Sequence, residues 1–198
     1  MLKNSFMFLM FFSLAMVVTS CGWRALPAAK NAVDAALAET TNQYKRRADL
    51  IPNLVNVVKG YAKHEAETLE AVMAARAKAT QTTIDAGNMN PEQLKNFQEA
   101  QGSLSSALSR LMVVVERYPD LKANQNFRDL QAQLEGTENR ITVARQRYIE
   151  VINGFNNLVT VPPESWTNKI FYSYEKMPQW TVNDAEKTQI EQAPSINF

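Results

Sequence analysis

A chain of 198 residues suits a single domain whose core can hold without cross-links. Its 21 basic and 20 acidic side chains leave no basic excess for a nucleic-acid surface, and one His with one Cys exclude most chemistry that needs clusters of ligands or thiols. Six glycines over this length fit long helices with few tight turns, so the predicted class is all-α.

The amino terminus has the layout of a secretory leader. Lys3 precedes an apolar run from Phe6 to Val18, broken only by Ser13, and the small residues Thr19 and Ser20 follow. The apolar part is too short for a permanent span, which needs roughly twenty residues. Val18-Thr19-Ser20-Cys21 resembles the lipobox of bacterial lipoproteins, which implies cleavage before Cys21 and acyl chains on its thiol. A lone Cys has no partner for an internal disulfide, so lipidation also accounts for its being single. Two or three acyl chains give stable attachment where one does not. The expected organisation is a leader at 1–20, a lipidated tether at 21–26, a helical bundle at 27–160 and an irregular aromatic-rich tail at 161–198. Extended, the tether reaches roughly 20 Å, which keeps the bundle close to the bilayer. Trp23 and Arg24 suit the headgroup layer. Gly22 replaces the aspartate that resembles an inner-membrane retention signal, which favours the outer membrane in a cell that has one.

Helix 1 is predicted to start at Pro27 and to carry Leu26, Val33, Leu37, Thr40 and Tyr44 on one side. Lys45, Arg46 and Arg47 would then complement the negative end of its dipole. Pro52 interrupts the pattern; a turn there, with Asp49 capping the next helix, is preferred to a kink. Helix 2 would run to about Ala86, where Gly87 is a natural stop, with Val55, Val58, Ala62, Leu69 and Val72 as its face. Glu65 and Arg76 fall on or beside that face and suggest a charge pair or polar network. Helix 3 opens on a capping box, Asn90, Pro91 and Gln93, and steps through Leu94, Phe97, Gln101, Leu104, Leu108, Leu111 and Val115 to Pro119. Helix 4, capped by Asn124 or Asn126, has the longest seam: Phe127, Leu130, Leu134, Thr137, Ile141, Ala144, Tyr148, Val151, Phe155 and Leu158, about nine turns. Short connections imply an antiparallel up-down four-helix bundle, although a three-helix bundle with a kinked first member fits the same periodicity.

Trp166, Phe171, Tyr172, Tyr174 and Trp180 crowd the tail without helical period. They would pack over the bundle, or dock a partner or the membrane interface. No reaction is legible. His64-Glu65 lacks a second His at Thr68, Tyr61 stands three residues before His64, and there is no phosphate loop or nucleophile elbow. Carboxylates from separate helices are the remaining route to a catalytic or ligand-binding site. No cofactor or metal is expected.

Lys45-Arg46-Arg47-Ala48-Asp49-Leu50-Ile51-Pro52-Asn53-Leu54-Val55, Val58-Lys59-Gly60-Tyr61-Ala62 with His64-Glu65, Ala75-Arg76-Ala77, Tyr118-Pro119-Asp120-Leu121, Thr137-Glu138-Asn139-Arg140-Ile141 and Ala144-Arg145 resemble the LemA family. The resemblance runs from Val33 through Pro163 and, more loosely, into the tail. It implies an antiparallel four-helix bundle fixed to a membrane by its amino terminus, a partner among envelope proteins, and no catalytic residues. Departures are the lipobox in place of a spanning helix, Leu37 where many members have Trp, and Ile149 where Asn often follows the Tyr. Arg46, Arg47, Asp49, Pro52, Asn53, His64, Glu65, Arg76, Glu138 and Arg145 are therefore candidates for inter-helix pairing or a partner groove. The leading expectation is a lipid-anchored scaffold or adaptor facing the periplasm or outer surface. A purely structural envelope protein is a further possibility, and oligomeric state is not indicated.

Overall fold

The computed structural model describes residues 2–84 and 89–180, with side chains from Trp23 onward. The Cys21 thiol, the stop expected at Gly87 and the terminal Ser195–Phe198 lie outside the described residues. Among the described residues six α-helices form: α1 (Leu2–Tyr61), α2 (Ala66–Gln81), α3 (Pro91–Val115), α4 (Pro119–Ala123), α5 (Gln125–Thr160) and α6 (Glu164–Thr167). A π-helical turn, Asn168–Tyr172, follows α6. There is no strand among the described residues. None of their helices is long and apolar enough to cross a membrane.

α1 departs most from expectation. It begins before Pro27, so residues 21–26 are helical rather than an extended tether, and it passes through Pro52 to end at Tyr61. The first turn comes at Ala62–Glu65, ten residues later than predicted, and Asp49 caps nothing. Lys45, Arg46 and Arg47 consequently lie in mid-helix, where they cannot complement its end. The buried stripe keeps phase across the proline: Tyr44, Ala48, Ile51, Val55, Val58 and Ala62.

A proline has no N–H and its ring crowds the carbonyl four residues back, so Pro52 leaves the Ala48 oxygen without its helical donor. Arg76 of α2 supplies one, Nε donating to Ala48 O at 2.8 Å. Pro27 does the same to Trp23, whose carbonyl oxygen accepts from the Tyr172 hydroxyl at 2.7 Å. Each proline in α1 is thus matched by a donor from a segment far away in sequence.

α2 ends at Gln81, short of Ala86. α3 has the expected cap, with Asn90 accepting from Gln93 N at 2.8 Å and Gln93 returning the bond at 3.2 Å. Asn124 caps α5 through Phe127 N at 3.1 Å. The α5 seam follows the reading to Tyr148 and again at Phe155, but Ile152 is buried where Val151 was expected, Val151 being only partly so. The tail is not wholly irregular, since α6 and the π-turn open it and residues 173–180 return along α5.

The interior divides in two. Ile51, Leu54, Val58, Leu69, Val72, Leu104, Leu111, Leu121 and Phe127 pack at one end. Val33, Leu37, Tyr44, Leu94, Phe97, Ile141, Tyr148, Ile152, Phe155 and Trp180 pack at the other. Thr40 and Thr137, both fully buried, return their hydroxyls to Ala36 O and Gln133 O at 2.8 Å each, so neither burdens the core.

Arg76→Ala should lower stability by about 1–3 kcal/mol, because the buried Ala48 oxygen loses its donor. Pro52→Ala restores a backbone N–H. In that background denaturant titration should find the Arg76→Ala penalty reduced by at least half, whereas additive penalties would contradict the pairing.

Candidate functional site

Between the two apolar clusters lies a polar layer centred on Arg47, which is 2% exposed. Its place follows from spacing: Arg47 stands on the α1 stripe between Tyr44 and Ile51, Gln101 on α3 between Phe97 and Leu104, and Glu138 on α5 between Leu134 and Ile141. The guanidinium donates through Nη1 to Glu138 Oε2 and to Ser105 Oγ, each at 2.9 Å. Through Nη2 it donates to Gln101 Oε1 at 2.8 Å and to Gln101 O at 3.3 Å. Gln101 then spends its amide N–H on Ala79 O at 3.2 Å, one of the carbonyls that the end of α2 leaves open. One cation therefore ties α1 to α3 and α5, and through Gln101 to α2. A charge this buried is tolerable only when its hydrogen-bond capacity is nearly filled.

The remaining capacity points at one place. Arg47 Nε and Gln98 Nε2 are buried donors with no acceptor among the described side chains and backbone. Both residues line a cavity of about 40 Å³ with Tyr44, Gly102, Arg145 and Trp180. That is close to the volume of a single water, whose oxygen would accept from either donor. Above it the groups alternate in kind: Arg47 lies 5.2 Å from the Tyr44 ring centre, Tyr44 and Trp180 are near-parallel at 6.3 Å, and Arg145 lies 5.1 Å from the Trp180 ring. Phe97 and Tyr148 meet Trp180 edge-on at 6.3 and 6.1 Å. The tail is thus built into the polar layer at Trp180.

Buried amides carry the tail there. Asn168 clasps the Tyr174 backbone, donating to its carbonyl and accepting from its N–H, both at 2.9 Å. Asn156 does the same to Met177 at 3.0 and 2.8 Å. Gln179 also bonds Asn153.

Other candidates are scattered. Arg46, Asp49 and Asn53 are exposed on α1, and His64 is exposed in the turn after it. Glu65 accepts from Arg117 Nη2 at 2.9 Å and from the Tyr118 hydroxyl at 3.0 Å, not from Arg76. Trp180 is buried, Tyr172 and Tyr174 are half-buried, and Trp166 and Phe171 are exposed. Sequence reasoning missed Tyr44, Gln98, Ser105, Asn156 and Asn168 as site residues. Gln101 carried the one available signal, a polar side chain on an apolar seam.

Beside Arg47, α3 and α5 leave a groove of about 340 Å³ lined by Leu108, Met112 and Leu134, with Ser105, Ser109, Gln131, Glu135 and Glu138 also contributing. Among the described residues no three His, Cys, Asp or Glu side chains gather as metal ligands would.

The LemA family profile matches residues 36–198, a span that holds the whole polar layer, both amide clasps and the tail. The chain belongs to the LemA family. Protein LemA of Metamycoplasma hominis is 25% identical over 147 residues, which is 74% of this chain and 61% of that relative. The family signature thereby gains physical content: its Arg-Arg-Ala-Asp-Leu-Ile-Pro block contributes Arg47 to the polar layer and the Ala48 carbonyl to Arg76.

Glu138→Ala should cost this LemA-family chain about 2 kcal/mol, less than a fully buried pair because Glu138 is half in solvent. Adding Arg47→Met should recover part of that loss in a denaturant titration, since no charge is then stranded; a simple sum would contradict the layer's role. Burial, with a smaller contribution from Asp34, pushes the Tyr148 hydroxyl well above its ordinary 10.0. The fold therefore holds the proton that the unfolded chain gives up, so stability should fall as pH rises past 10. Tyr148→Phe should flatten that fall in melting temperature.

Proposed function

We propose that this LemA-family chain is a lipid-anchored cell-envelope protein whose long helices α1, α2, α3 and α5 form an antiparallel four-helix bundle serving as a non-catalytic scaffold or adaptor for an envelope protein. The leader and lipobox support the anchor, with Cys21 as first residue of the mature chain and the bundle facing the periplasm or outer surface. Gly22 after the cysteine favours the outer membrane. The bundle is supported by contact order, with Ala48 meeting Arg76, Ala79 meeting Gln101, and Arg47 meeting Glu138, each in reversed sense along the chain.

The observation that carries the non-catalytic reading is how the signature side chains are used. Arg47, Glu65, Arg76 and Glu138 are engaged with the frame itself. Glu65 and Glu138, carboxylates on different elements, are each held by a cation and do not approach one another as an acid–base pair, so a catalytic bundle is not favoured. The frame leaves a groove open between α3 and α5. Its apolar floor and its rim carboxylates Glu135 and Glu138 suit a peptide segment that presents an apolar side chain beside a cation.

A photoreactive amino acid placed at Ser109, in the groove, should trap a discrete envelope protein in intact cells, while one at Glu92, exposed at the start of α3, should not. Equal capture from both positions, or capture of this chain alone, contradicts the adaptor reading; the latter points to a purely structural envelope protein.

A further inference from the structure

Large apolar side chains are poorly covered at one end of the molecule. Eight are exposed among the described residues, and five of them belong to Trp23 and the segment just after α5: Trp23 at 53%, Val161 at 53%, Trp166 at 61%, Ile170 at 73% and Phe171 at 54%. The remaining three, Tyr61, Val113 and Val143, lie on other elements. Exposure on this scale at a single end marks a surface that something apolar covers.

The grouping is built, not incidental. The Trp23 and Phe171 rings meet edge-on at 4.8 Å, Trp23 and Tyr172 at 6.0 Å, and the Tyr172 hydroxyl holds the Trp23 carbonyl that Pro27 leaves open. On the inner side of the π-turn, Asn168 is 6% exposed with its amide fixed to Tyr174, and Ser173 ends the turn at φ 55°. Trp166 on α6 and Ile170 and Phe171 on the π-turn that continues it are all more than half exposed. Ile170 and Phe171 face solvent, Phe171 with its ring against Trp23. A lone aromatic on a surface is ordinary, but three elements co-operating to hold five apolar side chains in water is costly without an occupant.

Two features select that occupant. Arg24 and Lys169 are exposed at the edge of the group, cations beside aromatic rings, which is the composition that settles at the level of lipid headgroups. Trp23 also lies two residues, about 3 Å of helix rise, beyond Cys21. Acyl chains on Cys21 would therefore enter a bilayer at the same level as the exposed rings.

We propose that Trp23, Val161, Trp166, Ile170 and Phe171, edged by Arg24 and Lys169, form a membrane-docking surface that inserts into the interfacial layer of an anionic bilayer. This rests on the reading that the amino terminus is held at a membrane. The lipid anchor alone would leave the helices free to swing; the second contact, made by the tail segment, fixes their long axes relative to the bilayer and keeps the α3–α5 groove at a set height.

The test uses the full chain, purified from membranes and reconstituted in vesicles of phosphatidylethanolamine and phosphatidylglycerol that contain a lipid with a photoreactive group near its headgroup. Mass mapping after illumination should find adducts at Trp23 and within residues 161–172, and none at Val113 or Val143. Ile170→Ser with Val161→Ser should cut the 161–172 adducts about tenfold, while adducts at Trp23 and the melting temperature stay nearly unchanged, because both side chains are more than half exposed. Adducts confined to residues up to Trp23, or a 161–172 yield that the double substitution does not change, overturn the docking surface. Intact mass at Cys21 is read separately: an unmodified thiol defeats the lipid anchor, and the adduct pattern still decides the docking surface.

Discussion

A single bond from Arg76 to the Ala48 carbonyl decides what kind of object this chain is. Pro52 removes a rung from α1 beside the buried Ala48, and the obvious outcome is that the helix ends there. With Arg76 supplying the missing donor, the helix continues for nine residues beyond Pro52. The bond also fixes how far α2 slides along α1, since Nε reaches only one carbonyl. A proline that would ordinarily break a helix becomes the address at which its neighbour docks. At the other end Pro27 and Tyr172 repeat the arrangement, and there the neighbour is the tail.

The Arg47 layer fixes register for the remaining helices. Apolar seams alone permit α3 and α5 to slip by a turn against α1, because leucine against leucine is much the same one step along. A buried guanidinium that finds Glu138, Ser105 and Gln101 in one setting and nothing elsewhere removes that freedom. The tail completes the layer from outside through Trp180, carried by the Asn156 and Asn168 amides. Here it serves as a structural strap, with Val161, Trp166, Ile170 and Phe171 facing outward.

Much of this was legible in the residues. Helical class, the caps at Asn90 and Asn124, and the α5 seam to Tyr148 follow from local chemistry that tertiary contacts do not override. The break at Pro52 was misplaced because the local rule for proline is sound and the compensation comes from Arg76, 24 residues away. The unbroken stripe through Ala48, Ile51 and Val55 is the feature in the residues that favours continuity over a break. Arg47 was assigned to a helix end for the same reason. Its partners lie 54 and 91 residues off, beyond what spacing on a single helix can reveal. Where the tail's amides bind could not be read either, since an Asn that clasps a distant backbone looks in sequence like any polar residue.

Membership of the LemA family joins this frame to a signature, and the frame explains why the signature mixes basic residues, a proline and small residues in one block. Continuity of α1 across Pro52 is the claim on which the polar layer and the groove depend. Spin labels at Glu39→Cys and Lys59→Cys, both exposed positions on α1, measure it in a Cys21→Ser background. A continuous helix places them about 30 Å apart by pulsed dipolar spectroscopy; a distance under about 20 Å would mean that the chain folds back at the proline and would contradict the account.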